Sequence, residues 1–281
     1  MSNIEKVFKN LKKDNKKALI TYSVAGDPDL ESSEKIIRNF ISEGVDIIEV
    51  GVPFSDPMAE GPSIQLGHER ALKNKISLLD IMQMCLKIKN DHPNTPLVLM
   101  GYMNNFLSLK ENLFDELKKN KIDGLIIVDL PYVESNEFLK KLNDKDIDLI
   151  RLISPTTTKE RIDKILASSS GYLYYISLKG VTGSELKISD ELENRVLEIK
   201  KQTKLPVVVG FGIKDAKTAK KMSLCSDGVV VGSKLVDEIG SFDPNKENIL
   251  NQNLTSIISE LKEGISSVSY THLTLPTILL V

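Results

Sequence analysis

Residues 46–62, DIIEVGVPFSDPMAEGP, decide how the rest of the chain is interpreted. Residues 47–52 are mostly apolar at successive positions. A strand covered on only one face would instead alternate apolar and polar residues. Successive apolar residues are typical of a parallel β-strand covered on both faces. The next ten residues contain three prolines and a glycine, which indicates a loop. The stretch therefore predicts a buried parallel strand that leads into a long loop.

The same pattern recurs along the chain, with eight short apolar runs separated by segments of helical periodicity. Eight β-then-α units predict an α/β fold, a single-domain (β/α)8 TIM barrel. An open doubly wound sheet is the main alternative. It would need a glycine-rich nucleotide loop after the first strand, and Ala25-Gly26-Asp27-Pro28 is not one. The predicted strands are 19–24, 46–52, 96–100, 124–130, 148–153, 172–177, 206–211 and 228–231.

The barrel domain is expected to cover residues 1–268. Residues 269–281 follow the last predicted helix and are apolar and strand-like, although the barrel leaves no strand position for them. We interpret them as a C-terminal tail that is non-native, frame-shifted or disordered. A tail that binds a partner is the alternative.

Composition excludes several classes of protein. A net charge of -2 and a pI of about 6.0, without a basic stripe, argue against nucleic-acid binding. Cys85 and Cys225 make no disulfide framework, and His68, His92 and His272 lack zinc-ligand spacing. No stretch approaches the ~18 apolar residues of a membrane span. We expect a reduced, cytoplasmic protein with no cofactor and no metal.

Glu49 is the first candidate for chemistry, because it interrupts an otherwise apolar strand. Alternation places it with Ile47 and Gly51, facing either the barrel interior or the helix layer. An unpaired charge at either place is costly or has a raised pKa. TIM barrels carry their catalytic groups near the carboxyl ends of strands. We therefore expect a functional carboxyl group, with a structural ion pair as the alternative.

Other candidates lie in loops that follow strands. The 53–62 loop brings Asp56 and Glu60 towards the same end of the barrel. Glycines at 210, 212 and 232 follow the last two strands, where this fold usually binds phosphate through backbone N–H groups. The 179–184 loop contains two glycines and is expected to order over a ligand.

These blocks together resemble the tryptophan synthase alpha subunit family over residues 1–268. The most specific block is Ile48–Pro57 followed by Gly61-Pro62, and Gly26-Asp27-Pro28, Gly180-Val181-Thr182-Gly183, Gly210-Phe211-Gly212-Ile213 and Gly232-Ser233 follow the family's order and spacing. The resemblance implies a lyase that splits indole-3-glycerol phosphate into indole and glyceraldehyde 3-phosphate. It also implies a pyridoxal-phosphate beta subunit as partner in an alpha2-beta2 complex, contacted in part by the 53–62 loop.

The resemblance also assigns roles to residues. Glu49 becomes the acid and base, Glu60 the acceptor of the indole N–H, and Tyr174 an assisting tyrosine. The phosphate cradle maps onto Gly183, Gly212, Gly232 and Ser233. The indole slot maps onto Tyr22, Met100, Ile126, Ile153 and Phe211.

Two positions depart from the family pattern. Position 60 is ordinarily Asp, so Glu60 keeps the charge but is one methylene longer, and Tyr22 replaces what is commonly Phe. A misplacement of ~1 Å can cost about 10²-fold in rate, so we expect Glu60 to impair cleavage relative to Asp. One alternative is a catalytically impaired subunit that mainly activates the beta subunit. Another is a different phosphate-binding barrel, such as an isomerase of indole or histidine synthesis, which has no use for the 53–62 loop.

Overall fold

The computed structural model describes residues 1–131, 135–176, 190–210 and 212–266, without the side chains of residues 135–137 and 190. Its centre is a closed barrel of eight parallel strands in sequence order, with β1 paired to both β2 and β8. The predicted (β/α)8 barrel is therefore confirmed. The strands are β1 (Ala18–Val24), β2 (Ile47–Gly51), β3 (Leu97–Gly101), β4 (Gly124–Ile127), β5 (Asp148–Ile153), β6 (Leu173–Ile176), β7 (Val207–Gly210) and β8 (Gly228–Val231).

Helices cover the outer face of the barrel, except for α1, which lies across one end. They are α1 (Asn3–Lys13), α2 (Leu30–Ser42), α3 (Pro62–Leu72), α4 (Leu78–Asp91), α5 (Met103–Leu107), α6 (Leu113–Lys119), α7 (Ser135–Asn143), α8 (Lys159–Ala167), α9 (Asp190–Gln202), α10 (Ala216–Cys225), α11 (Ser233–Ile239) and α12 (Glu247–Ser266). Short 3-10 helices occupy Lys110–Asn112 and Pro244–Lys246. A capping box opens α4, since the side chains of Ser77 and Asp80 each accept a hydrogen bond from the backbone N–H of the other. The predicted tail lies outside the described residues.

Alternate strand residues divide the core into two layers. Outward-facing residues such as Ile48 and Val50 pack with the helices in one large apolar cluster. Inward-facing residues such as Ile47, Val98 and Ile126 fill the barrel interior in a second cluster. Because both faces are covered, the strands are apolar at successive positions.

The amino-terminal end of the barrel is closed by α1. Ile4 and Phe8 are buried in the interior cluster, and the Phe8 ring lies 5.8 Å from that of Tyr172 at an angle of 52°. Asn3 ties the helix to the start of β4 through its side-chain bond to Asp123 at 2.8 Å. This helix was not predicted from the sequence, and it leaves the carboxyl end of the barrel as the open end.

An ion pair between the buried Asp27 and the partly exposed Arg70 joins the first βα loop to α3. Arg70 donates two hydrogen bonds of 2.7 Å to the carboxylate of Asp27, whose side chain is 0% exposed. Arg70 also donates to the backbone oxygen of Val236 in α11 at 3.2 Å. The guanidinium therefore connects the elements that follow β1, β2 and β8.

Candidate functional site

Glu49 faces the barrel interior, where β2 pairs it with Tyr22 of β1 and Val98 of β3. Its side chain is completely buried. The hydroxyl of Tyr172 donates a hydrogen bond of 2.6 Å to Oε1, while Oε2 has no partner among the described residues. The sequence left two orientations open for Glu49, and the structure shows the one that faces the barrel interior. Its partner is a tyrosine, so the alternative of a structural ion pair is not observed among the described residues.

Burial raises the pKa of Glu49 to about 8, the Tyr172 hydrogen bond opposes that rise, and the charge of Glu60 adds to it. A carboxyl group buried in apolar surroundings favours its neutral form. Glu49 is therefore protonated near neutral pH and has a proton to give.

Glu60 reaches the same region from the loop that follows β2. Its backbone is fixed by bonds from its N–H to Pro57 O at 3.0 Å and from Gln65 Nε2 to its own O at 2.9 Å. Burial raises the pKa of Glu60 to about 7. The two carboxyl groups thus ionise in different pH ranges, with Glu60 the first to lose its proton.

The 53–62 loop is held against the barrel by Tyr102. The ring of Phe54 stacks on Tyr102 with centroids 4.8 Å apart, and Ala59 N–H donates to the Tyr102 hydroxyl at 3.1 Å. Asn105 Nδ2 donates to Pro53 O at 3.0 Å. The loop is therefore ordered in this state, while Met58 at its tip is 85% exposed.

Two inward-facing glycines make room for two tyrosines. A Cβ on Gly51 would collide with the hydroxyl of Tyr22, and a Cβ on Gly210 would collide with that of Tyr174. Burial raises the pKa of Tyr174 well above its ordinary value, and the charges of Glu49 and then Glu60 add to the rise. Both hydroxyls are therefore protonated donors near the two carboxyl groups.

A cavity of about 420 Å³ opens at the carboxyl end of the barrel. Glu60 and Tyr174 line it together with Tyr22 and Met100 of the predicted slot, whereas Glu49 is not among the lining residues. Its remaining apolar lining comes from Ala59, Pro62, Ile64, Val128, Leu152, Ile176, Ile213 and Val230. A larger hollow of about 600 Å³ lies at the opposite end, near Met1–Asn3, away from these carboxyl groups.

The predicted slot needs one correction. Ile153 packs on the outer face of β5 against the helix layer, and Leu152, one position earlier, lines the cavity. Ile126 does face the interior, but it is completely buried and lies outside the cavity lining. Phe211 lies outside the described residues.

Three residues of the predicted phosphate cradle, Gly212, Gly232 and Ser233, line one part of the same cavity. Gly212 has a φ of +76°, a conformation that side chains disfavour. Lys214 and Lys234 also line the cavity and bring two positive charges, beside the one negative charge of Asp237. Gly183 lies outside the described residues.

Sequence reasoning missed several residues around the site. Tyr172 lies two positions before Tyr174, so strand alternation would have placed it on the interior face with Glu49. Nothing in the sequence signals the roles of His68 and Tyr102, because both act through the fold of the 53–62 loop.

Across the described ranges, no group of three or more His, Cys, Asp or Glu side chains could hold a metal ion. In the same part of the chain, no helix combines the length and apolar character needed to cross a membrane.

Comparison with known proteins gives one family throughout. The sequence model described as "Tryptophan synthase alpha chain" matches residues 8–266. The chain is 45% identical to the tryptophan synthase alpha chain of Marinobacter nauticus, over 96% of this chain and 100% of the relative. Identity to the alpha chain of Psychrobacter arcticus is 40%, over 96% and 98%.

Solved structures agree. The crystal structure of tryptophan synthase subunit alpha from Legionella pneumophila superposes with a TM-score of 0.87 at 36% identity, covering 95% of this chain and 99% of that chain. A tryptophan synthase structure from M. tuberculosis gives a TM-score of 0.83 at 29% identity, covering 94% and 99%.

Proposed function

Because this chain belongs to the tryptophan synthase alpha chain family, we propose that the cavity at the carboxyl end of its barrel binds indole-3-glycerol phosphate for cleavage. As a member of that family, the protein is a carbon–carbon lyase of tryptophan biosynthesis. It splits indole-3-glycerol phosphate into indole and glyceraldehyde 3-phosphate. The assignment of individual residues to steps of this reaction is our proposal.

Glu49 supplies the proton that starts the reaction. A retro-aldol cleavage needs an acid that protonates the indole carbon bearing the side chain and a base that removes the proton of the adjacent glycerol hydroxyl. With a pKa of about 8, Glu49 is neutral at pH 7 and can act first as the acid. The carboxylate that remains then accepts the hydroxyl proton as the carbon–carbon bond breaks. Because Glu49 does not line the cavity, this role requires its side chain to rotate away from Tyr172 towards the substrate.

Glu60 accepts the indole N–H while the ring carries positive charge. This role requires the ionised form, and a pKa of about 7 makes Glu60 the more acidic of the two carboxyl groups. Environments that push two pKa values apart assign one group as acid and the other as charge partner. Tyr174, a protonated donor close to both charges, assists at the glycerol oxygen. The expected activity is greatest between about pH 7 and about pH 8.

The rest of the cavity binds and orients the substrate. Tyr22, Met100 and Leu152 supply apolar surface for a flat ring. The wall containing Gly212, Gly232 and Ser233 takes the phosphate through backbone N–H groups, with Gly183 as the fourth member by resemblance. Binding energy from the phosphate orients the reacting carbon atoms.

The partner is a tryptophan synthase beta subunit, in an alpha2-beta2 complex located in the cytoplasm. Exposed apolar side chains support a docking surface around the cavity mouth: Met58 is 85% exposed in the 53–62 loop, and Leu107 is 56% exposed at the end of α5. Docking over this loop would exclude water and fix Glu60.

The observation that carries the proposal is the complete burial of Glu49, with one carboxyl oxygen that has no partner among the described residues. Glu49→Gln keeps the shape but cannot transfer the proton, so kcat for cleavage should fall by on the order of 10²–10⁴-fold or more. Affinity for glycerol phosphate should be unchanged. Glu69→Gln, the same change at an exposed position of α3, is the matched control. Near-wild-type cleavage by Glu49→Gln would remove Glu49 from the mechanism.

A further inference from the structure

His68 of α3 has a defined tautomer. The backbone N–H of Phe54 donates to His68 Nδ1 at 3.2 Å, and an amide nitrogen can only donate, so Nδ1 carries no proton. The ring is buried, and burial lowers the pKa of His68 to about 4. The imidazole is therefore neutral, and its single proton lies on Nε2.

That proton fixes the direction of the next hydrogen bond. His68 Nε2 lies 3.3 Å from the hydroxyl oxygen of Tyr22, so the ring donates and Tyr22 accepts. The hydroxyl must then direct its own hydrogen to another acceptor. Tyr22 is level with Glu49 in the β1–β2 register, and its hydroxyl occupies the space that Gly51 leaves open.

The carboxylate of Glu60 is an acceptor in the same cavity as the Tyr22 hydroxyl, since both residues line it. Glu49 does not line this cavity, and its Oε1 already accepts from Tyr172. Burial raises the pKa of Tyr22 well above its ordinary value, and the charge of Glu60 adds more to that rise than the charge of Glu49 does. The shared cavity thus favours the Glu60 carboxylate as the partner of the Tyr22 hydroxyl. No hydrogen bond from the described residues fixes it in this state.

We propose that the Tyr22 hydroxyl, oriented by His68, holds the Glu60 carboxylate over the indole N–H of the substrate. Tyr22 and His68 are then positioning residues for Glu60. This inference depends on the role proposed for Glu60 above.

The arrangement has a physical purpose. A glutamate side chain has three rotatable bonds, and a carboxylate that rotates freely loses that freedom whenever it binds the substrate. A fixed donor reduces the loss by holding the carboxylate in place beforehand. The chain of bonds also begins at Phe54, the second residue of the 53–62 loop, so the position of the loop and the orientation of its carboxylate are linked.

The test is a double-mutant cycle between Tyr22 and Glu60. Tyr22→Phe keeps the ring and removes the hydroxyl, and it should lower kcat/KM for indole-3-glycerol phosphate about tenfold, mainly through kcat. In the Glu60→Ala background, the same change should have less than a ~2-fold effect. Affinity for glycerol phosphate should be the same in all four proteins, which also shows that each is folded. Tyr175→Phe, which removes a hydroxyl from the outer face of β6, is the matched control.

Each other outcome has a distinct meaning. An unchanged kcat/KM for Tyr22→Phe, or an equal loss in both backgrounds, would overturn the inference while the role of Glu60 stands. Near-wild-type cleavage by Glu60→Ala alone would instead refute the proposed role of Glu60, and the inference with it.

Discussion

Replacing Tyr172 with Phe isolates the hydrogen bond that the Tyr172 hydroxyl donates to Glu49. The change removes the hydroxyl 2.6 Å from Oε1 and leaves the ring packed against Phe8. The bond favours the ionised carboxylate, so its loss raises the pKa of Glu49 further above about 8. A hydrogen bond to a charged group contributes about 1.5–3 kcal/mol. At 1.36 kcal/mol per pH unit, this corresponds to a rise of about 1–2 units.

The sign of the effect on activity follows from the role of Glu49. The group starts the reaction in its protonated form, and a higher pKa keeps it protonated to a higher pH. The alkaline limb of kcat/KM should therefore move upward by about 1–2 pH units. The acid limb, assigned to Glu60, should stay near pH 7.

The assay is kcat/KM for indole-3-glycerol phosphate across the pH range, because this parameter reports the pKa values of the free enzyme. Tyr175→Phe removes a hydroxyl from a buried tyrosine on the outer face of β6, the strand that follows Tyr172, and should leave both limbs in place. An alkaline limb that stays fixed or moves downward in Tyr172→Phe would refute the reasoning. It would mean either that Tyr172 does not set the ionisation of Glu49 or that Glu49 acts first as a base.

Three other substitutions test separate parts of the molecule. Gly212→Val places a side chain on a residue with a φ of +76°, so affinity for glycerol phosphate should fall much more than affinity for free indole; equal losses by calorimetry would contradict the cradle. Glu60→Asp withdraws the carboxylate from Tyr22, so kcat/KM should fall about tenfold, whereas a tenfold rise would support the impairment expected from the sequence. Arg70→Ala leaves Asp27 buried without its partner and should lower the free energy of unfolding in urea by about 3 kcal/mol, the lower end for such pairs. Lys35→Ala, at an exposed ion pair, should lower the free energy of unfolding by less than about 1 kcal/mol. An equal effect of the two substitutions would contradict the larger contribution expected from the Arg70–Asp27 pair.

The architecture could be predicted from the sequence because a strand that is buried on both faces is apolar at successive positions. All eight predicted strands are present, although β4 ends at Ile127, three residues earlier than expected. The sequence could not show which face of a strand points inward when both faces are apolar. Ile153 and Leu152 are chemically alike, so only the observed register distinguishes the residue that lines the cavity from its neighbour in the helix layer.

The sequence likewise indicated only some of the residues around the candidate site. Glu49 could be singled out as a candidate because a carboxyl group within an otherwise apolar strand is visible in the sequence itself. Strand alternation would have placed Tyr172 on the interior face, but its bond to Glu49 and the contact of His68 with Tyr22 could not be predicted. These contacts join residues separated by 123 and by 46 positions in the chain. The closure of the amino-terminal end of the barrel by α1 could not be predicted either, because α1 has the amphipathic pattern of any surface helix.

The helix that closes the amino-terminal end has a consequence for how such enzymes diverge. Ile4 and Phe8 keep water from the underside of Tyr172, so the protonation of Glu49 depends in part on residues that no substrate approaches. A smaller side chain at position 8 would hydrate that interior and bring the pKa of Glu49 back towards its value in water. Natural selection can therefore adapt the working pH of the enzyme to a new habitat through mutations in α1 while every residue around the substrate stays the same.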